Sequence, residues 1–216
     1  MRYLLIDGHP DSDRLTTALI DHYAANCPAG ADIDRLILRD MAFDPVLHQG
    51  YARPQKWEAD LERAARLLDG CDHLVIAFPM WWGGEPALVK GFVDRLLLPH
   101  FTFRYHEHDD WWDKLMEGRS ADALVTMDTP GIFLRFAYHN SIKHRWRKQI
   151  LQFCGFDPAR FHIFAPVRKG SAEKNWPKWQ ARVARAANSA VGLKRKPRQS
   201  HLANFLAYGK SRDESP

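Results

Sequence analysis

Five short apolar runs alternate with stretches of helical spacing along the chain. The runs are Tyr3 to Ile6, Ile33 to Leu38, His73 to Phe78, Ala123 to Met127 and Phe161 to Phe164. Most are continuous rather than alternating, as expected of strands covered on both faces. Between them, Thr16 to Ala25 has helical spacing and is closed by Pro28 and Gly30. Lys56 to Leu68 places Leu61, Ala64, Ala65 and Leu68 on one face, the stripe of an amphipathic helix. Ala87 to Leu98 lies between Pro86 and Pro99, and Lys143 to Phe153 ends at Gly155. A last helix is predicted from Asn175 to Val191, with Pro177 tolerated because it falls in the first turn.

Strand and helix alternate five times, which calls for a parallel sheet with right-handed crossovers and helices on both faces. The predicted fold is α/β, a flavodoxin-like three-layer sandwich with strand order 2-1-3-4-5. Sheets of this kind bind ligands outside the carboxyl ends of the strands, at the switch point. The loops after strands one, three and four are therefore the ones to search. One domain is expected over 1–192, followed by a basic extension over 193–216.

Charge changes the picture only at the end of the chain. From Ser171 onward there are ten Lys and Arg against three Asp and Glu, so the pI of 9.2 reports the tail. Such a tail suits a membrane surface, nucleic acid or an acidic partner, or is a solvated helix followed by a loose end. Three widely spaced cysteines, Cys27, Cys71 and Cys154, form no C-x-x-C pair and fit a reducing cytoplasm. No apolar stretch has the length of a membrane span.

The first loop reads Gly8-His9-Pro10-Asp11-Ser12-Asp13-Arg14-Leu15-Thr16-Thr17. A loop that opens a helix offers free N–H groups and a positive dipole end to a phosphate. His9, Arg14, Thr16 and Thr17 are candidate donors; the equal alternative is that Ser12 or Asp13 simply caps the helix. It is neither a G-x-G-x-x-G nor a P-loop. The loop after strand three, Pro79-Met80-Trp81-Trp82-Gly83-Gly84-Glu85-Pro86, sets two tryptophans beside two glycines. Aromatic faces stack on planar rings and glycines let backbone N–H groups approach them; filling the core or a dimer interface is the competing use. Asp128-Thr129-Pro130-Gly131 would line the opposite edge, or form a plain turn. His106 and His108 beside Glu107, Asp109 and Asp110 have no zinc spacing, and no metal is expected. Trp111 and Trp112 are expected at the site mouth or a partner, and the run Phe101 to Tyr105 as an exposed aromatic contributor to an interface.

Together these stretches resemble the flavodoxin-like NAD(P)H:quinone oxidoreductases, and the chain is similar to the flavoprotein ancillary subunits of potassium-efflux systems. The likeness runs from Arg2 to about Val191. Its specific part is Phe78-Pro79-Met80-Trp81-Trp82-Gly83 followed by Pro86-Ala87-Leu88-Val89-Lys90-Gly91 and an aromatic, acidic and Arg run; Gly8-His9-Pro10 and Phe153-Cys154-Gly155-Phe156 support it. The resemblance implies FAD or FMN, ping-pong hydride transfer from NAD(P)H to a quinone or similar acceptor, and a homodimer. No nucleic acid partner is expected. It places His9, Arg14, Leu15 and Thr16 at the flavin phosphates and ribityl chain. Pro79, Met80, Trp81, Trp82 and Gly83 would hold one face and edge of the ring, and Asp128, Thr129, Pro130 and Gly131 the other edge. Tyr138 and His139 lie in the stretch from which Tyr and His assist hydride transfer in the quinone reductases. Arg14-Leu15-Thr16 replaces the usual Ser-Phe-Asn, and Pro130 interrupts the usual Thr-Thr-Gly-Gly, deleting one backbone donor. A regulatory subunit of a membrane ion-transport system, docked through the basic tail, is the alternative reading.

Overall fold

The computed structural model describes residues 1–51, 55–168 and 170–213, with backbone alone for 209–213. Residues 214–216 of the expected extension lie outside the described residues. In chain order the elements are β1 (Arg2–Asp7), α1 (Leu15–Ala25), β2 (Asp32–Ile37), α2 (Ala59–Gly70), β3 (His73–Pro79), α3 (Ala87–Leu96), β4 (Phe103–Tyr105), β5 (Trp112–Lys114), β6 (Ser120–Thr126), α4 (Gly131–Phe136), α5 (Ser141–His144), a π-helical stretch (Arg145–Leu151), α6 (Gln152–Cys154), β7 (Ala159–Phe164), α7 (Ser171–Ala190) and α8 (Leu202–Asp213). A 3₁₀ turn, Leu38–Asp40, follows β2.

The main sheet has the order β2-β1-β3-β6-β7 and all its pairs are parallel. With the five main strands counted alone, this is the expected order 2-1-3-4-5. Alternate residues serve opposite layers. Leu4, Ile6, Leu74, Ile76, Phe78, Ala123 and Val125 join α2, α3 and the helical run 141–154 in one core. Tyr3, Leu5, Val75, Ala77 and Leu124 face α1 and α7 in the other.

Beneath α1 and α7, near the start of the strands, the second layer holds charge. The Asp122 carboxylate accepts from Tyr23 Oη at 2.8 Å, from Arg160 Nε at 2.6 Å and from Arg160 Nη2, with His162 Nε2 at 3.1 Å and His73 Nε2 at 3.3 Å. His73 Nδ1 lies 2.7 Å from Ser120 Oγ, which accepts from Arg195 Nη1 at 3.1 Å. The hub thus ties α1, three strands and the segment after α7 to one carboxylate.

That segment is docked. Lys196 pairs with Glu117 at 2.8 Å, and Arg198 Nη1 donates to Asp69 O at 2.8 Å and approaches Asp72. The buried Arg119 donates to Asp69 and to Gln199 O. Phe205 of α8 meets Trp57 at 4.6 Å and Phe101 at 5.6 Å between ring centroids. Arg195, Lys196 and Arg198 therefore find partners on the body of the chain, and the loose end considered in the sequence is a strap. Deleting 193–216 should cost about 1–2 kcal/mol from the partial burial of Phe205 alone. At 2–4 °C per kcal/mol, Tm falls by roughly 2–8 °C in a thermal melt; an unchanged Tm contradicts the docking.

Three sequence expectations are corrected. Phe101 and Phe103 are buried, and Tyr105 alone of the three aromatics in that run is exposed, because the β4–β5 hairpin packs onto Phe153 through Phe103 and Trp112. Helix α7 begins at Ser171, so Pro177 sits inside it and not in its first turn. The first turn is built instead by Ser171, whose hydroxyl bonds Pro166 O at 2.7 Å. Asp128 to Phe133 is not a plain turn: Pro130 is the N-cap of α4, where its missing N–H costs the helix nothing.

Among the described residues, no helix is long and apolar enough to cross a membrane, and no group of three or more His, Cys, Asp or Glu is arranged to hold a metal ion. His106 is instead paired with Asp109 and Asp113.

Candidate functional site

The carboxyl ends of β1, β3 and β6 bring the three singled-out loops to one edge of the sheet. At β1, the buried Asp7 carboxylate orders the first loop. Its oxygens accept the His9 N–H at 3.1 Å, the Thr17 hydroxyl at 2.7 Å and Arg39 Nη1 at 2.8 Å. Asp7 was absent from the sequence candidates; the signal was an acid ending a buried strand just before Gly-His-Pro. Gly8 is pressed against α3: a Cβ there would meet Val89 Cγ2 at 2.6 Å and Ala77 O at 3.0 Å. The His9 ring is tied to Asp11 through Nδ1, and burial lowers its pKa.

Helix α1 then starts with no side-chain cap: neither Ser12 nor Asp13 closes it, and Arg14 is the N-cap residue. Arg14 pairs with Asp11 and is exposed, which holds that carboxylate below its usual range. Leu15 packs into the α1–α7 layer. Thr16 is buried, and its hydroxyl has no hydrogen-bond partner. Three other buried side-chain atoms among the described residues share that condition, on Tyr3, Arg95 and Arg119; only Thr16 lies at this edge. An orphan hydroxyl beside uncapped helix N–H groups is the donor set a phosphate completes.

At β3, Met80 N–H bonds Thr126 O at 2.8 Å, so the second and third loops leave the sheet side by side. Trp81 and Gly84 exchange both backbone hydrogen bonds, at 2.8 and 3.0 Å, around Trp82 and Gly83. Both central residues have positive φ, 53° and 81°, the geometry of a tight primed turn. A tryptophan is an unfavourable occupant of that region, and Trp82 is fully exposed at 107%. Trp81 stands edge-on to His9, centroids 5.7 Å apart at 86°. A bare aromatic turn thus faces the phosphate-type loop.

The anchor of this turn is Glu85, another residue the sequence reading passed over. Its carboxylate is 2% exposed. Arg145 Nη2 donates to it at 2.7 Å, Arg145 Nη1 also donates to it, and Trp146 Nε1 donates at 3.0 Å. Burial alone would raise the Glu85 pKa; these donors outweigh it and hold the carboxyl below its usual range.

At β6, Asp128 is exposed and Thr129 and Pro130 are half-buried, with Gly131 opening α4. Tyr138 and His139 lie on the exposed turn after α4, His139 and Asn140 with φ of 49° and 53°. No hydrogen bond joins either side chain to another described residue. Ile132, Phe133, Phe136 and Tyr138 form an exposed apolar set on this edge together with Trp81 and Trp82.

The chain is similar to known proteins. The chain is 22% identical over 196 residues to an uncharacterized NAD(P)H oxidoreductase of Haemophilus influenzae, covering 85% of this chain and 96% of that one. It is 31% identical over 139 residues to the FMN-dependent NADH:quinone oxidoreductase of Azotobacter vinelandii, covering 57% of this chain and 69% of that one. Among solved structures, Smu.1420 of Streptococcus mutans superimposes with a TM-score of 0.75 at 26% identity, over 88% of this chain and 100% of that one. The family model described as flavodoxin-like fold matches residues 1–188, and the chain belongs to that family.

Proposed function

We propose that the chain is a flavin-dependent NAD(P)H oxidoreductase that passes a hydride from NAD(P)H to a quinone or similar acceptor. The observation that carries the reading is the facing pair at the sheet edge: an uncapped helix start with the orphan Thr16 hydroxyl, opposite the Trp81–Gly84 turn with its fully exposed Trp82. One end suits a phosphate and the other a planar ring. The relative from Azotobacter vinelandii is named for FMN and NADH, which favours FMN over FAD and NADH as donor here.

In this reading, the N–H groups of Leu15, Thr16 and Thr17, with His9 and Arg14, hold the phosphate. Pro79 to Gly83 hold one face and edge of the ring. Asp128, Thr129 and Gly131 hold the other edge, with Pro130 contributing no N–H. When bound, the flavin supplies the two-electron chemistry. The chain's own residues orient donor and acceptor in turn over one exposed seat, so the two co-substrates exclude each other. Reduction of a quinone consumes one hydride and one proton, and Tyr138 and His139, on the exposed turn after α4, are the candidates for supplying that proton. The exposed Ile132, Phe133, Phe136 and Tyr138 favour a homodimer closed over this edge. The tail as a transporter docking element is not favoured, because Arg195, Lys196 and Arg198 are engaged within the molecule.

Initial rates of NADH oxidation by FMN-loaded protein test the reading, with a benzoquinone varied at several NADH levels. Parallel double-reciprocal lines are expected for a shared seat; intersecting lines, or no quinone-dependent turnover, contradict it.

A further inference from the structure

Glu85 is an unusual placement for a carboxylate: in a loop, at the open edge of the sheet, yet buried. Its partners Arg145 and Trp146 are 60 and 61 residues away in sequence, at the start of the π-helical stretch Arg145–Leu151. Such stretches are rare and collect at functional sites. Trp146 is itself buried and lies against Phe78, the penultimate residue of β3, with centroids 4.5 Å apart. The carboxylate therefore receives donors from two successive residues, one of which packs on the strand that launches the aromatic turn.

The chain around the clamp sharpens its meaning. From 129 to 156 there is no Asp or Glu, while Arg135, Lys143, Arg145, Arg147 and Lys148 are all basic. Arg145 thus has no acid of its own segment to turn to, and its carboxylate partner comes from the aromatic loop. Glu85 follows the turn by one residue and precedes Pro86, the N-cap of α3. Fixing Glu85 fixes where the turn stands relative to the strand end and to His9, which Trp81 touches. Removing Arg145 leaves the buried Glu85 carboxylate without its compensating charge, and here the strain falls on the residues next to the ring seat.

We infer that Glu85 is a positioning residue for the flavin seat, clamping the Trp81–Gly84 turn to Arg145 and Trp146 so that the aromatic wall stands preformed against the first loop. The inference rests on the flavin reading proposed above. A preformed seat binds without first ordering its wall, so loosening the clamp weakens the cofactor before it unfolds the protein.

The test compares wild type, Glu85→Gln, Arg145→Lys, Arg145→Glu and the charge exchange Glu85→Arg with Arg145→Glu. FMN affinity is read by flavin fluorescence quenching, visible circular dichroism of the bound flavin reports the ring's surroundings, and Tm is measured without FMN. Glu85→Gln should weaken FMN at least tenfold and change the dichroism. Arg145→Lys, which keeps the charge but not the two-pronged contact, should lie between it and wild type. The charge exchange should recover part of the affinity lost in Arg145→Glu alone. If the Glu85→Gln and Arg145→Lys variants lose Tm while FMN affinity and dichroism stay at wild-type values, the clamp is structural only and the inference is overturned. Failure of wild type itself to bind FMN sinks the flavin reading instead, so the two failures are separable.

Discussion

Replacing Asp122 by Asn should be the most damaging single change to the stability of this protein. Asp122 is fully buried near the start of β6 and is the common acceptor for Tyr23, Arg160, His162 and His73. An amide in its place removes the charge that compensates Arg160 and turns one acceptor atom into a donor facing donors. Breaking one side of a buried pair costs about 3–5 kcal/mol, a Tm loss of roughly 6–20 °C for a chain of this size. Against a total stability of about 5–15 kcal/mol, that leaves little margin. The same hub sets the acid side of the stability curve. Burial would raise the Asp122 pKa, but the donors around it hold it well below the usual range. Its contribution is therefore complete above the unfolded carboxyl pKa of about 3.9 and is lost as pH falls toward the folded value. His73 acts in the same direction: burial lowers its pKa, so below about 6.5 the unfolded chain takes up a proton that the native hub refuses. Stability should fall as pH drops below about 6.5, and His73→Asn should flatten that upper part of the decline. Melts at stepped pH check both; a pH-independent Tm between about 4 and 7 contradicts the account.

Thr16→Val should move stability and cofactor binding in opposite directions. The Thr16 hydroxyl is buried without a partner, a state that costs about 1–3 kcal/mol. Valine keeps the shape and removes the hydroxyl, so the cofactor-free protein should gain about 1 kcal/mol, or roughly 2–4 °C. A hydrogen bond to a charged group contributes about 1.5–3 kcal/mol, so FMN should bind roughly 10- to 150-fold more weakly. Thr16→Ser retains the hydroxyl and should retain affinity. A Val variant that melts lower and binds FMN as wild type does would remove Thr16 from the phosphate seat.

The five main strands and the three loops at their ends were legible because buried parallel strands read as unbroken apolar runs such as Leu74 to Phe78, and because the Trp-Trp-Gly-Gly turn follows one of them. What escaped the sequence depended on partners distant along the chain. Glu85 reads as a loop acid until Arg145 and Trp146 fold onto it. Phe101 and Phe103 read as exposed aromatics because β4 and β5 have three residues each, too short to show a period. The tail reads as loose charge until Asp69, Asp72 and Glu117 receive it. The orphan state of Thr16 and the convergence on Asp122 are properties of packing that no local pattern encodes.

The most direct measurement is an FMN titration of the purified chain followed by absorbance, with NADH and then a benzoquinone added to the loaded protein. The account predicts saturable binding of one FMN per chain, bleaching of the yellow colour by NADH and its return on adding the quinone. A chain that leaves FMN free at every concentration tried would contradict the assignment of the sheet edge as a flavin seat.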